Sequence, residues 1–518
     1  MSPRGSRSIS PVPIQPSSVF NTPAERSAFS FFLARTSPQL AGFYTCDFWN
    51  TVLPQAAHVD PGIRHAIVAL SSVHRLFEET GDADKAGAEA AFGMQHYQLA
   101  IRQHIDDMQR FSGNVAALAS GKGKEGLESY LASSMLFICI EMLQSHYVSA
   151  ISLTKVAVQL FYEYVIPATY TPSTSPPLRS AWPLAIFESL LARLQAKAVG
   201  LVGRSAVGIL VPPRIKRLDT TNPPVPAKFA SVEEARSFYD NYDWALSFSS
   251  HDPEIYGVQD DLRNPVMHQR HHAVMTAWNA AFNALLGDLD PNALSQRDRN
   301  AIAVLQVRRM QSQISFEMVL RDELADCNPM LWDEHHATFA AAMARLEVVL
   351  RTQDNLDRIA APPSPLSTND SHETPSKPPR HLFTLDFGLV APLYETASLC
   401  RDPSIRRNAI RLLRAHPMRE GMWDSLLAAR AAEAKMELEE RMAWELLPDC
   451  VREARTAHGR EGVLEGAEEI VRDARIITVL PDFVPGQRFA RMWFSKLPAS
   501  SPMCDRPREW HFERVIYW

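Results

Sequence analysis

The stretch Leu131–Leu143, LASSMLFICIEML, is the most apolar window of the chain and decides which fold is available. Drawn as a helix, it is apolar on nearly all sides, as expected of a helix at the centre of a bundle. It has only thirteen residues and contains Glu141, whereas a membrane-spanning helix needs roughly 20 apolar residues. The segment therefore predicts a buried helix in the core of a helical protein.

Helical patterns continue outward from this segment. Leu153, Val156, Ala157, Leu160 and Phe161 follow the i, i+3, i+4 spacing of one buried helix face. Two-residue alternation is scarce, and the only stretches with strand character are Ile476–Leu480 and Trp510–Trp518. The predicted fold class is all-α, a multi-helical array with negligible β structure and helices at about 23–165, 182–202, 231–357 and 384–474.

Several helix starts are marked by capping residues. A Ser, Thr or Asp side chain can accept a hydrogen bond from the first turn, and a proline fits the first helical position. The predicted starts are Thr22-Pro23-Ala24-Glu25, Ser231-Val232-Glu233-Glu234, Asp60-Pro61, Asp290-Pro291 and Asp402-Pro403.

Segments rich in Pro, Ser and Thr divide the helical patterns, because such composition buries too little surface to offset the entropy of ordering. We expect residues 1–19 to be a disordered N-terminal tail and 361–380 a disordered linker. Residues 20–360 form a predicted helical domain, with internal linkers at 166–181 and 211–228. Residues 381–474 are the C-terminal helical part of the same domain, and 475–518 a C-terminal tail.

Composition excludes several classes of protein. The formal net charge of −6 over 518 residues argues against a chain that coats nucleic acid. The N-terminus lacks the apolar core of a signal peptide, and neither export nor a membrane span is expected. The six cysteines are tens of residues apart, so we expect reduced thiols in an intracellular protein and no zinc site built from paired cysteines.

Catalytic motifs are absent from the sequence. Gly121-Lys122-Gly123-Lys124 superficially suggests a phosphate-binding loop, but the required Ser or Thr and the earlier glycine are missing. The chain also lacks a G-x-S-x-G elbow, a dinucleotide-binding glycine motif and H-E-x-x-H. We predict that it is not an enzyme and has no catalytic residues and no cofactor.

Two groups of histidines are candidate metal ligands. His268, His271 and His272 are spaced so that a helix would place His268 and His272 on one side. His335 and His336 follow Asp333 and Glu334, but adjacent helical residues point about 100° apart and cannot converge on one ion. Because neither group has a third ligand in view, we expect surface or core-edge histidines and no metal site.

Two basic clusters remain. Arg214, Lys216 and Arg217 lie in a Pro-rich linker and are a candidate nuclear-localisation signal. The second comprises Arg401, Arg406, Arg407, Arg411, Arg414 and Arg419. On a helix from Asp402, Arg407, Arg411 and Arg414 share a solvated face, opposite an apolar face formed by Ile405, Ala409, Leu412 and Leu413. DNA-reading helices can look like this, but so do ordinary surface helices, and DNA-binding residues remain unknown.

Five segments in order along the chain resemble the regulatory region of fungal zinc-cluster transcription factors. They cover residues 20 to 430, with a looser helical tail to about 470. The segments are Phe20–Thr51 with the following Ala56–His58 and Ile63–His74, then Leu136–Gln144, Phe229–Arg236, Pro392–Pro403 and Pro417–Ser425. Within them, Phe29, Phe32, Leu33 and Trp49 look like core anchors, and Arg419-Glu420-Gly421 looks like a turn.

The resemblance implies a regulator of transcription that is in the nucleus at least part of the time and otherwise in the cytoplasm, with a fungal secondary-metabolite gene cluster as a natural target. Members of that family carry a six-cysteine zinc motif upstream, and the residues before Phe20 contain no cysteine. DNA binding is therefore not transferred, and we expect only indirect or weak DNA contact. Three alternatives stay open: a diverged regulator, a fragment of a longer gene product, or a cofactor that reaches promoters through a partner. Protein partners are expected, including transcription machinery, a DNA-binding factor or a second copy of the chain. The alternative is a helical interaction or ligand-sensing scaffold with no direct promoter role.

Overall fold

The computed structural model describes residues 19–44, 46–78, 83–112, 124–161, 184–202, 224–249, 265–322, 328–359, 381–386, 388–484, 487–496 and 509–518. This part of the chain is 74% helical and 8% strand, and no helix in it is long and apolar enough to cross a membrane. Several predictions lie outside it: residues 1–18, Gly121–Gly123, the linkers 166–181 and 361–380, and 211–223 with Arg214, Lys216 and Arg217.

The N-terminal helices surround the apolar window. π-helical turns at Phe32–Thr36 and Phe48–Val52 interrupt the first of them. The helices are α1 (Pro23–Phe31), α2 (Ser37–Ala41), α3 (Leu53–Val59), α4 (Pro61–Glu78), α5 (Ala83–Ser112), α6 (Lys124–Leu143), α7 (Tyr147–Leu160) and α8 (Leu184–Val202).

The described residues from Val232 onward contain the remaining helices and the strands. The helices are α9 (Val232–Ser249), α10 (Pro265–Asp288), α11 (Gln296–Asp322), α12 (His336–Ile359), α13 (Val390–Leu399), α14 (Pro403–Ala415), α15 (Ser425–Leu446) and α16 (Asp449–Ala457). The strands are β1 (Leu382–Thr384), β2 (Met418–Glu420), β3 (Trp423–Asp424), β4 (Thr478–Phe483), β5 (Phe489–Ser495) and β6 (Phe512–Tyr517).

Helix α6 lies at the centre of the largest core, as its sequence predicts. All thirteen residues of Leu131–Leu143 are buried, and the helix packs against α4, α5 and α7. Phe29, Phe32 and Trp49 belong to the same core, which confirms them as anchors. Leu33 does not, because 41% of its surface is exposed.

A second core joins the helices on either side of residues 360–380. Val304 of α11 and Leu346 of α12 share this core with Leu393 of α13, Leu413 of α14 and Ala432 of α15. The helical segments before and after the predicted linker therefore bury their apolar faces against each other.

Most of the predicted helix caps are present. The Glu25 N–H donates to Thr22 Oγ1 at 3.1 Å, and the Thr22 N–H donates to Glu25 at 3.0 Å, a complete capping box. The N–H groups of Ser404 and Ile405 donate to Asp402 at 2.9 Å each. These caps place α1 and α14 at the positions that the sequence marks.

Asp290 does not start a helix. Its carboxylate accepts the Asn292 N–H at 2.9 Å, so it stabilises a turn, as short acidic side chains often do. The helix begins later, at Gln296, after Ser295, whose hydroxyl accepts the Asp298 N–H at 3.1 Å. The nearer cap therefore defines the start of α11.

The prediction of negligible β structure needs correction, because the described residues include two three-stranded sheets. In the first, β2 pairs with β1 in parallel and with β3 in antiparallel orientation. The second is the antiparallel sheet β4-β5-β6, which falls within 475–518 and near both stretches of strand character. Its inner residues Ala490, Met492 and Phe494 pack with Leu427 and Leu438 of α15. These strands are short, so their alternation is weak in the sequence.

Candidate functional site at the central sheet

The first sheet, formed by residues between Leu382 and Asp424, contacts helices from the N-terminal half of the chain. Gly421 follows β2 with φ of 62°, its N–H donates to the Thr384 carbonyl at 2.7 Å, and a Cβ here would lie 3.1 Å from Lys197 Cδ. The predicted turn therefore requires glycine at Gly421. Arg419 and Glu420, predicted as part of that turn, are instead buried strand residues.

Arg419 links the sheet to the central helix. It donates to Asp424 Oδ2 at 3.1 and 2.6 Å and to the carbonyls of Met142 and Leu143 at 2.8 Å each. These carbonyls are at the C-terminal end of α6, where helices leave acceptors without an internal partner. The other oxygen of Asp424 caps α15 by accepting the N–H groups of Leu426 and Leu427 at 2.9 and 3.2 Å.

A group of buried charges, the Asp386 cluster, lies just beyond β1. Asp386 forms an ion pair with Arg236 and a second one with Arg193 at 3.3 Å. Lys197 Nζ donates to the Asp386 carbonyl at 2.5 Å, and Arg236 Nε lies 3.2 Å from Asp240 Oδ2. Helices α8 and α9 thus both depend on the carboxylate that follows β1.

Burial shifts the pKa values in this cluster. It raises the pKa of Asp386, although Arg236 opposes the shift, because desolvation disfavours any charged form. Burial also lowers the pKa of Lys197 to about 8, with Glu420 and Asp386 opposing. The cluster keeps opposite charges close enough to compensate each other inside the protein.

A second group, the Glu439 cluster, joins α13, α14 and α15. Arg401 and Arg406 each donate to Glu439 at 2.9 Å, and none of the three side chains is more than 1% exposed. Lys435 Nζ lies 4.0 Å from the same carboxylate, which also accepts the Ile476 N–H at 2.9 Å. Burial alone would raise the pKa of Glu439, but Arg401, Lys435 and Arg406 together lower it to about 2.

Two cavities flank the segment from Pro38 to Asp47. The apolar cavity, of about 300 Å³, is bordered by Pro38, Gln39, Gly42 and Phe43, by Arg35, by Arg297 and Asn300 of α11, and by residues of β1 and β2. The polar cavity, also of about 300 Å³, is bordered by Cys46, Asp47, Ser189, Arg193, Arg236 and Asp240. Burial raises the pKa of the Cys46 thiol.

Gly42 borders the apolar cavity at a point where only glycine fits. Its φ is 64°, and a Cβ at this position would lie 2.8 Å from Asp386 Cβ. Gly42 therefore lies directly against Asp386. A change in either cavity would act on a segment that contacts the buried charges.

The arginines around α14 divide into two sets. Arg401, Arg406 and Arg419 are buried, which corrects their assignment to a single basic cluster. Arg407, Arg411 and Arg414 are exposed, as predicted from their spacing.

The exposed set is largely paired with neighbouring side chains. Arg407 pairs with Glu440 at 2.5 Å, Arg414 pairs with Glu433, and Arg411 donates to Asn408 at 2.6 Å. The solvated face of α14 therefore carries less uncompensated charge than its sequence indicates.

The histidine groups point in different directions. His271 is buried and lies 3.2 Å from the Tyr242 hydroxyl, whereas His272 is exposed. His336 lies 3.3 Å from Asp402, and His335 lies 3.9 Å from Glu317. Asp333 pairs with Arg475 at 2.6 Å. Within the described ranges, no group of three or more His, Cys, Asp or Glu side chains is placed to hold a metal ion.

The two charge clusters leave little trace in the sequence. Lys197 offered one signal, since a single lysine in the apolar run LLARLQAKAVGLV of residues 190–202 suggests a buried, paired charge. Glu439 gave none, because α15 is rich in charges along its whole length.

Comparison with known proteins finds regulators of transcription. The chain is 24% identical over 494 residues to the aspercryptin biosynthesis cluster-specific transcription regulator atnN of Emericella nidulans, covering 82% of this chain and 74% of that protein. It is 28% identical over 108 residues to the transcription regulator lscL of Purpureocillium lilacinum, covering 20% of this chain and 23% of that protein. No protein-family profile matches, and no solved structure matches significantly.

Proposed function

We propose that this protein regulates transcription of a fungal biosynthetic gene cluster, such as one for a secondary metabolite, and works in the nucleus. The observation that carries the proposal is the similarity to a cluster-specific transcription regulator along 82% of the chain. The five segments that resemble the regulatory region of zinc-cluster factors support the same role. The relatives are named as regulators and not as enzymes, so we propose a protein without catalytic activity.

The helical body would reach promoters through a protein partner. Phosphate contacts supply most non-specific DNA affinity and need free Lys or Arg side chains. On the most basic helix, α14, Arg406 is buried against Glu439, and Arg407 and Arg414 pair with glutamates. This pairing favours binding to a partner over direct contact with DNA.

Deleting the gene tests the regulatory role. We expect transcripts of a contiguous group of biosynthetic genes to fall, and to recover when the wild-type gene is restored. A fluorescent fusion should enter the nucleus, and replacing Arg214, Lys216 and Arg217 by alanine tests the candidate localisation signal. A deletion that leaves every biosynthetic gene cluster unchanged would contradict the proposal.

A gel-shift series with the pure protein tests indirect DNA binding. At physiological salt we expect weak binding, equal for random and promoter duplexes, that declines steeply as salt increases. Chromatin immunoprecipitation should still detect the protein at promoters, and this occupancy should depend on a second protein. Sequence-selective binding below about 1 μM, typical of specific DNA-binding proteins, would show that the helical body reads DNA itself.

The second candidate is a ligand-sensing scaffold without a promoter role. The two cavities that flank residues 38–47, next to the Asp386 cluster, favour this reading. The two functions differ in the deletion experiment: a scaffold of this kind would leave transcription of the gene cluster intact.

A further inference from the structure

The apolar cavity has the composition of a small-molecule site. Most of its wall is apolar and includes Pro38, Phe43, Leu382, Leu389 and Met418. A volume of about 300 Å³ is at the lower end of the range for ligand pockets, which combine apolar walls with a few fixed polar groups. The polar groups therefore decide which ligand chemistry fits.

Asn300 borders this cavity and has an unused donor. The residue is only 2% exposed, and its Nδ2 has no hydrogen-bond partner. Its Oδ1 accepts from Gln296 Nε2 at 2.9 Å, and the other end of the Gln296 amide accepts from Arg299 Nε at 3.2 Å, which fixes the orientation of the Asn300 amide. A buried donor without an acceptor is costly, so an acceptor supplied by a ligand would stabilise this site.

Arg297 lies one turn before Asn300 on the same face of α11, because residues three apart on a helix are neighbours. Its Nε donates to the Phe43 carbonyl at 3.2 Å and its Nη2 to the Gly42 carbonyl at 3.1 Å, and it also donates to the Tyr44 carbonyl. All these acceptors are neutral, and in the described residues Arg297 has no carboxylate partner. Its positive charge at the cavity wall is therefore uncompensated.

The other charged groups at the cavity already have partners. Arg35 pairs with Glu78 at 3.0 Å. Glu420 accepts the N–H groups of Gly388 and Val390 at 3.2 and 3.1 Å and that of Leu389 at 2.5 Å. The uncompensated charge at the wall is thus positive and lies beside the free amide donor of Asn300.

The geometry points to a binding site for a small apolar carboxylic acid in the apolar cavity. The carboxylate accepts from Asn300 Nδ2 and lies next to the Arg297 guanidinium, a favourable charge-assisted arrangement. The apolar body of the ligand packs against Leu382, Leu389 and Met418. Arg297 also holds residues 42–44, so an occupied site acts on the segment that contacts the Asp386 cluster.

Octanoate is a suitable probe, with octan-1-ol as the uncharged comparison of the same chain length. Binding is measured on the full chain by calorimetry and by the shift in melting temperature at pH 7. We expect octanoate to bind and raise the melting temperature, and octan-1-ol to bind at least tenfold more weakly. These measurements use pure protein, so they test the site separately from the proposed role in transcription.

Two variants test whether the residues that border the apolar cavity bind the probe. Asn300→Asp keeps the oxygen that accepts from Gln296 but replaces the free donor by an acceptor, and should weaken octanoate binding at least tenfold. Ala34→Phe adds a ring at the exposed edge of the cavity and should block binding without burying a charge. Asn279→Asp is the matched control, because Asn279 of α10 accepts from Arg309 and does not border the apolar cavity, and it should bind octanoate normally.

Equal affinity for octan-1-ol and octanoate would overturn the assignment of a carboxylic acid. Unchanged octanoate binding in both Asn300→Asp and Ala34→Phe would show that the probe binds elsewhere. If no binding is detected by either method, the proposed site is wrong. Circular dichroism of each variant confirms that it is folded before its affinity is compared.

Discussion

Glu439 is the carboxylate on which three buried cations of the C-terminal helices depend. Arg401 and Arg406 donate to it directly, and Lys435 is 4.0 Å away. Removing one member of a buried ion pair is much more costly than removing an exposed pair, because the remaining charge stays desolvated.

Glu439→Gln should therefore lower the free energy of unfolding by about 3–5 kcal/mol. Urea unfolding followed by circular dichroism measures the loss. The neighbouring Glu440→Gln is the control, since its partner Arg407 is half exposed and such pairs contribute less than about 1 kcal/mol. Equal losses in the two variants would mean that the Glu439 cluster does not stabilise the fold.

The lowered pKa of Lys435 predicts how the free energy of unfolding changes with pH. Burial, and then Arg401, lower its pKa from 10.5 to about 7 in the folded protein. Between these two values the unfolded chain binds more protons than the folded one, so stability rises with pH across the window. Lys197, with a pKa of about 8, contributes with the same sign.

From pH 7 to pH 9 we expect the free energy of unfolding to rise by roughly 1–2 kcal/mol through Lys435. Lys435→Met should be more stable than the wild type at pH 6 and should show a smaller rise. Urea unfolding at each pH checks this, with the exposed Lys155→Met as control. A variant with the wild-type pH dependence would exclude Lys435 as its source.

At the scale of elements, the residues after α2 and after β1 come into close contact at Gly42 and Asp386. Gly42 has φ of 64°, and a Cβ there would lie 2.8 Å from Asp386 Cβ and 3.0 Å from its Oδ2. Both the backbone conformation and the space therefore require glycine.

Gly42→Ala should lower the melting temperature and the free energy of unfolding by about 1–3 kcal/mol. Gly287→Ala is the control, because it lies in α10 with nothing within 4 Å of the added Cβ and alanine favours a helix. We expect the control to be as stable as the wild type or slightly more stable. A neutral Gly42→Ala would mean that residues 42–44 shift easily.

The sequence predicted elements better where their signals are local. The caps at Thr22 and Asp402 define helix starts from residues within three positions of each other. Strand β2 could not be recognised, because Met418, Arg419 and Glu420 are all buried and the partners of Arg419 include carbonyls 277 and 276 residues away. The alternation in β5 is present in the sequence but extends over only 7 residues.

At the scale of the whole molecule, the predicted linker 361–380 separates helices that share a core. Leu346 on one side and Leu393 and Leu413 on the other belong to one buried cluster. The Pro- and Ser-rich composition predicts early proteolysis within 361–380.

We expect limited proteolysis to cut first in 361–380 and the two fragments to remain together. Denaturing gels should show two pieces, whereas size-exclusion chromatography should show one species with the elution volume of the intact chain. In urea the pieces should separate. Fragments that part without denaturant would contradict the shared core.

The sequence by itself determined the helical class, the central buried helix and several helix starts, because these depend on residues within one or two turns of each other. The tertiary structure decided which charges are buried and where the cavities lie. Asp386 pairs with Arg236 and Arg193, which stand 150 and 193 residues away along the chain. No local pattern records such a pairing, since a buried charge is stable only once the fold has brought its partner within about 4 Å.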